Sequence, residues 1–154
     1  MINERKIEMR GAVHIYVNKK DREIYLLKEY KTKIGYWTGM GYLIQTARES
    51  LKKEVLICIR DSISAYQQEI EPTEPFKSSP YKTWNKFFKY HDSISCEYNL
   101  ETEEYCIEMW TREEKTHSYS SPAPGFEFIL TKEEFNEKFD EIMDFLISNV
   151  KMIK

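Results

Sequence analysis

Apolar and polar residues alternate along this chain in two periods, and each change of period marks an element. From Gly11 to Asn18, Val13, Ile15 and Val17 fall on one face of an extended strand, with His14 and Tyr16 on the other. The polar run Asn18-Lys19-Lys20-Asp21 has turn chemistry, and Glu23 to Tyr30 resumes the strand period through Ile24 and Leu26. These two segments are expected to form an antiparallel hairpin. Ile34 to Ile44 is aromatic and β-prone but interrupted by Gly35, Gly39 and Gly41. Glycine inside a strand marks a bulge, a bend or a close backbone approach.

The period then lengthens. Leu51, Val55, Ile59 and Ile63 recur every four residues, which puts one apolar stripe on a helix ending near Ser64. Thr46-Ala47-Arg48-Glu49 reads as a capping box that starts it. Gln67 to Pro80 holds three prolines and is expected as a loop, and Thr83 to Phe88, with aromatics at i, i+3 and i+4, as a short helix.

Strand alternation returns in two segments. Ile94, Cys96 and Tyr98 share one face, and so do Tyr105, Ile107 and Met109. Placing Tyr98 opposite Tyr105 puts both apolar sets on the same side of a hairpin. Thr111 to Gly125 reads as a polar loop and Phe126 to Leu130 as a short strand. A second capping box, Thr131-Lys132-Glu133-Glu134, opens the strongest helix, striped by Phe135, Phe139, Ile142, Leu146 and Val150 and widened by Met143 and Phe145. The order of elements predicts one α+β domain over residues 1–154. Its antiparallel or mixed sheet has about five to six strands, with two main helices packed on it.

Composition supports a folded core: hydrophobic residues make up 41% and aromatics 14%, well outside the range of disordered chains. No apolar run approaches the roughly 18 residues of a membrane span, and MINERKIEMR lacks the apolar core of a signal peptide. A cytoplasmic protein is expected. Three widely spaced cysteines, Cys58, Cys96 and Cys106, make neither a disulfide framework nor a CxxC metal pair. Buried apolar side chains are the plain reading of Cys58 and Cys96.

Charge changes the picture most. From Tyr90 to Thr111 the chain carries six carboxylates, Asp92, Glu97, Glu101, Glu103, Glu104 and Glu108, and no Lys or Arg. The formal net charge is −3, and removing those six acids leaves 20 acids against 23 bases, a net of +3. The predicted hairpin puts Glu97 and Glu108 on one face on a diagonal and crowds Glu101, Glu103 and Glu104 at its turn. A solvated edge is the plain reading. Like charges so close are also mildly destabilising, and a localised acidic patch steers a basic partner. These six residues are therefore the candidate partner-binding set.

No catalytic constellation accompanies the patch. His14, His91 and His117 belong to different elements and there is no GxSxG elbow; the enzyme reading kept is one centred on His117 and Glu108. There is no HExxH or CxxC, and although Asn99, Glu101 and Glu103 alternate like calcium ligands, an EF-hand loop is not present. Neither a cofactor nor a resident metal is expected. Gly35, Gly39 and Gly41 lack the order of a phosphate loop. The aromatic run Tyr36 to Tyr42, with Lys28, Lys31 and Lys33 before it and Arg48, Lys52 and Lys53 after, supplies the alternative: a non-catalytic ligand- or nucleic-acid-binding domain that uses that surface. Sheet packing is its plain reading, and the sequence pI near 5.7 argues against a groove that tracks a phosphate backbone.

Tyr36-Trp37-Thr38-Gly39-Met40-Gly41-Tyr42, followed by an amphipathic helix ending near Asp61-Ser62-Ile63-Ser64, resembles the immunity proteins of bacterial contact-dependent growth inhibition systems. Lys82-Thr83-Trp84-Asn85-Lys86-Phe87 before a strand pair, the Gly125-Phe126 strand and a closing helix to Asn149 extend the resemblance over roughly residues 11–150. It implies a cytoplasmic antitoxin, not an enzyme, that binds the C-terminal toxin domain of a cognate effector. Such toxins are often nucleases, basic around the groove that holds the phosphate backbone. The partner expected is thus a basic protein, with neither nucleic acid nor membrane.

Overall fold

The computed structural model describes residues 10–31, 37–65, 81, 83–112 and 119–150. Strand β1 (Arg10–Asn18) turns into β2 (Ile24–Lys31), which pairs with β3 (Trp37–Thr46). A 3-10 turn leads into helix α1 (Leu51–Ser64); α2 (Trp84–Tyr90) then runs directly into β4 (His91–Asn99), β5 (Glu104–Arg112), β6 (Tyr119–Thr131) and α3 (Lys132–Ser148). The strands form one six-stranded sheet in the order β3-β2-β1-β4-β5-β6. Every pairing among the described residues is antiparallel, so the α+β expectation holds, with the antiparallel form of the sheet.

The β1-β2 and β4-β5 hairpins share one turn device. Asn18 Oδ1 accepts from the backbone N–H of Lys20 and Asp21, and Arg22 closes the turn at φ 61. Asn99 Oδ1 likewise accepts from Glu101 and Thr102, and Glu103 closes it at φ 56. An Asx side chain thereby replaces the backbone partners that the turn leaves unpaired.

Helices α1 and α3 lie on one face of the sheet and enclose the main core. Val13, Ile15, Val17, Ile24, Leu26, Ile94, Cys96 and Ile107 meet Leu51, Val55, Cys58 and Ile59 from α1 and Phe135, Phe139, Met143 and Leu146 from α3. Each such side chain contributes about 1.5–3 kcal/mol on burial. Gly11 is required by this layer, because a Cβ there would stand 2.6 Å from the Ile59 carbonyl oxygen. Among the described residues the opposite face is covered at one end, where Phe87 of α2 packs on Tyr16 and Leu27. Beside it His91 is fully buried and stacks on the Phe87 ring at 3.9 Å, with Nδ1 2.7 Å from the Phe87 carbonyl oxygen and Nε2 3.2 Å from the Asn18 amide nitrogen.

Three expectations are corrected. Thr46 caps no helix: it stays in β3, paired with Ile24, and its hydroxyl turns to the Ala47 carbonyl at 3.4 Å. The α-helix begins at Leu51 instead, and its entry is held by Arg48, which reaches Asp140 at 3.2 Å and Asp144 at 2.8 Å on α3. Residues 119–124, expected as loop, belong to β6, with Pro122 opposite Trp110 and a register shift on either side. An edge strand tolerates proline because the side lacking an N–H needs no ladder partner. Phe145 widens no buried stripe and is 45% exposed. The Thr131 capping box, by contrast, forms in full. Of the bulge, bend or close approach expected from the glycines of β3, the structure has a register shift between the Leu26 and Lys28 pairings, with Gly41 at φ 73. The expected loop at 67–80 lies outside the described residues.

Candidate functional site

The hairpin of β4 and β5 has the expected register, with Tyr98 opposite Tyr105 and Glu97 opposite Cys106. Glu108 faces Ser95, so Glu97 and Glu108 stand on a diagonal on the face away from α1 and α3. Glu101 and Glu103 are exposed at the turn and Glu104 opens β5 beside them. Five of the six candidate carboxylates are therefore brought to one hairpin. Asp92 is not: it lies at the far end of β4, 8% exposed and 3.5 Å from the Lys19 ammonium.

Tertiary pairing also changes the charge. Arg10 of β1 reaches Glu97 at 3.3 Å, and Lys132 of α3 lies 3.8 Å from Glu103. With Lys19 at Asp92, a window without bases in sequence thus receives three from other parts of the chain. Burial nevertheless holds the Glu97 carboxyl above the usual carboxylate range; Arg10 opposes the shift and Glu108 adds to it. The Cys106 thiol donates to Glu108 Oε1 at 3.2 Å and is pushed up to about 12, first by burial and then by that hydrogen bond. It is therefore a protonated, unreactive thiol at neutral pH.

Two acids and one apolar side chain were missed by reading the window alone. Register places Glu127 of β6 directly opposite Glu108, and Ile129 opposite Cys106. Glu29 of β2 lies on the same face, across Ala12 from Glu97, and pairs with His14 at 2.7 Å. The alternation Glu127-Phe128-Ile129 shows in sequence that Glu127 and Ile129 share a face. Which residues of β5 they meet depends on the connection between the strands, which the pattern leaves open.

The open half of this face is a shallow acidic depression of about 250 Å³ between Arg10, Glu97, Glu104, Cys106, Glu108 and Ile129. Donor atoms of Cys106, Glu108 and Glu127 lie within 4.8 Å of one another, close enough to share one cation. With the thiol protonated, the two carboxylates suit an ammonium or guanidinium better than a soft metal ion. The calcium reading of the turn finds no support, since the Asn99 side-chain oxygen is spent on Glu101 and Thr102.

For the alternative aromatic surface, Tyr42 is 62% exposed, while Tyr36 and the Trp37 ring lie outside the described residues. His117, the centre of the enzyme reading, also lies outside them.

No helix among the described residues is long and apolar enough to cross a membrane. No family model matches the sequence, and no curated protein matches it. Solved structures do share its fold. A protein of unknown function from Neisseria meningitidis superposes with a TM-score of 0.61 at 12% identity, over 92% of this chain and 95% of that one. A chain of the CdiA-CT/CdiI toxin and immunity complex from Yersinia pseudotuberculosis gives a TM-score of 0.54 at 13% identity, over 90% of this chain and 96% of that one. The fold of this chain is thus similar, nearly end to end, to that of a component of a toxin and immunity complex.

Proposed function

We propose that the chain is an immunity protein that acts in the cytoplasm, where it binds and neutralises the C-terminal toxin domain of a cognate contact-dependent inhibition effector. The observation that carries this reading is the near full-length likeness of fold to a chain of a toxin and immunity complex. The acidic hairpin adds the partner's sign: a nuclease toxin presents a basic groove to its phosphate backbone substrate, and carboxylates compete for that groove. The protein acts by binding rather than catalysis. Burial pushes the Cys58 thiol up to about 11 and the Cys96 thiol still higher, His91 is sealed behind Phe87, and His14 is engaged by Glu29.

The test is growth. The C-terminal domain of the protein encoded immediately upstream is expressed in bacterial cells with and without this chain. Arrest by the domain alone, relieved by co-expression, is expected. Arrest that persists at equal expression of a folded chain sinks the reading.

A further inference from the structure

The sheet has two faces of unequal cover. One carries α1 and α3 along its length; among the described residues, the other carries only α2 and Tyr81, at the end of Tyr16 and Leu27. Three cross-strand rows leave that cover. The first runs Glu29, Ala12, Glu97, Cys106, Ile129; the second Leu27, His14, Ser95, Glu108, Glu127; the third Arg10, Asn99, Glu104, Thr131. They set five carboxylates against Arg10 and His14, and each of those two already faces an acid, Glu97 and Glu29. Glu108 and Glu127 stand on adjacent strands directly opposite each other, and among the side chains that the structure describes no ion pair reaches either. Next to them Ile129 is 61% exposed, an apolar side chain on an otherwise acidic surface.

This pattern costs the free protein. Like charges directly opposite across two strands are destabilising, and an exposed isoleucine forfeits its burial. Both costs are recovered when a cation enters between the carboxylates and an apolar group covers Ile129. A guanidinium suits the geometry because it bridges two carboxylates with a planar set of donors, and the apolar contact at its side excludes water from the pair.

Resting on the immunity reading, we propose that the toxin domain docks on this open sheet face, not on the hairpin turn. A basic segment of the toxin places an arginine or lysine between Glu108 and Glu127 and an apolar side chain against Ile129. Glu97 and Glu29 extend the acidic field on either side, and Glu101 and Glu103 at the turn steer the approach.

Binding of the purified upstream-encoded toxin domain is measured by calorimetry at several salt concentrations. Against the wild-type chain, Glu108→Lys/Glu127→Lys weakens binding by about 30-fold or more, as expected for charges desolvated at the centre of an interface. Ile129→Asp weakens it as well. Glu101→Lys/Glu103→Lys at the turn slows association but changes affinity by only a few-fold, and Glu133→Lys/Glu137→Lys on the solvent side of α3 changes it less than two-fold. Glu108→Gln/Glu127→Gln removes the charge without the bulk, and a loss of affinity at an unchanged or raised melting temperature separates docking from folding. Wild-type binding with full affinity retained by both Glu108/Glu127 variants overturns the surface and leaves the function standing. A wild-type chain that does not bind the toxin domain overturns both.

Discussion

Glu108 on β5 stands directly opposite Glu127 on β6, on the sheet face that the two long helices leave bare. The pair is a liability to the free fold, and its removal has a measurable sign. Glu127→Gln should raise stability by about 0.2–1 kcal/mol, read as an increased urea midpoint at unchanged m-value. The same substitution should weaken the toxin complex. A variant less stable than wild type would mean that Glu127 has a favourable partner in the free chain.

Glu97 ties stability to pH. Its folded-state carboxyl titrates above the ordinary carboxylate range, chiefly through burial, so the folded state takes up that proton before the unfolded state does. The contribution of Glu97 is therefore fully present below the unfolded value and is lost as pH rises through the folded one. Glu97→Gln abolishes this dependence. The variant's stability relative to wild type should be greater at pH 7 than at pH 4, and urea titrations at the two pH values check it. A stability difference that grows toward low pH would reverse the sign.

The two Thr-x-x-Glu words differ in consequence. Thr131 accepts from the Glu134 backbone N–H at 3.2 Å and Glu134 returns a contact to Thr131 N at 3.1 Å, whereas Thr46 makes no cap. Thr131→Ala should cost about 1 kcal/mol and Thr46→Ala much less. Equal losses would place a cap at Thr46 in solution.

Gly11 bears directly on the packing of α1. Its absent Cβ leaves room for the Ile59 carbonyl and the Ile59 and Ile63 side chains, each of which an added methyl would approach within 2.8 Å or less. Gly11→Ala should destabilise by about 1–3 kcal/mol. Gly41→Ala meets no atom but sits at φ 73, so its cost is local strain at the bulge, about 1–2 kcal/mol. Thermal melts of the two variants, with α1 amide exchange increased only in the first, distinguish crowding from strain.

Much of the fold was legible in the pattern because local chemistry and global packing agree. Tyr98 meets Tyr105 because the alternation of Ile94, Cys96 and Tyr98 and of Tyr105, Ile107 and Met109 excludes every one-residue slip, and the short turn after Asn99 selects among the rest. Asn18 and Asn99 close their turns from within, and the Thr131 box caps α3 with its own side chains. Thr46 carries the same signature and fails, because the pairing of β3 with Ile24 holds its backbone extended while Arg48 anchors the helix entry on Asp140 and Asp144, some 90 residues on.

The same division runs through the candidate site. The sequence by itself determined that Glu97 and Glu108 share a face and that Glu101, Glu103 and Glu104 crowd a turn, since side-chain alternation and the turn residues are properties of neighbouring positions. Only the tertiary structure decided that Asp92 is buried beside Lys19, that Arg10 and Lys132 answer Glu97 and Glu103, and that Glu127 and Ile129 complete the surface. Those are relations between strands and helices far apart in the chain. Their register is set by which hydrophobic faces the sheet must bury against α1 and α3, and no local period encodes it.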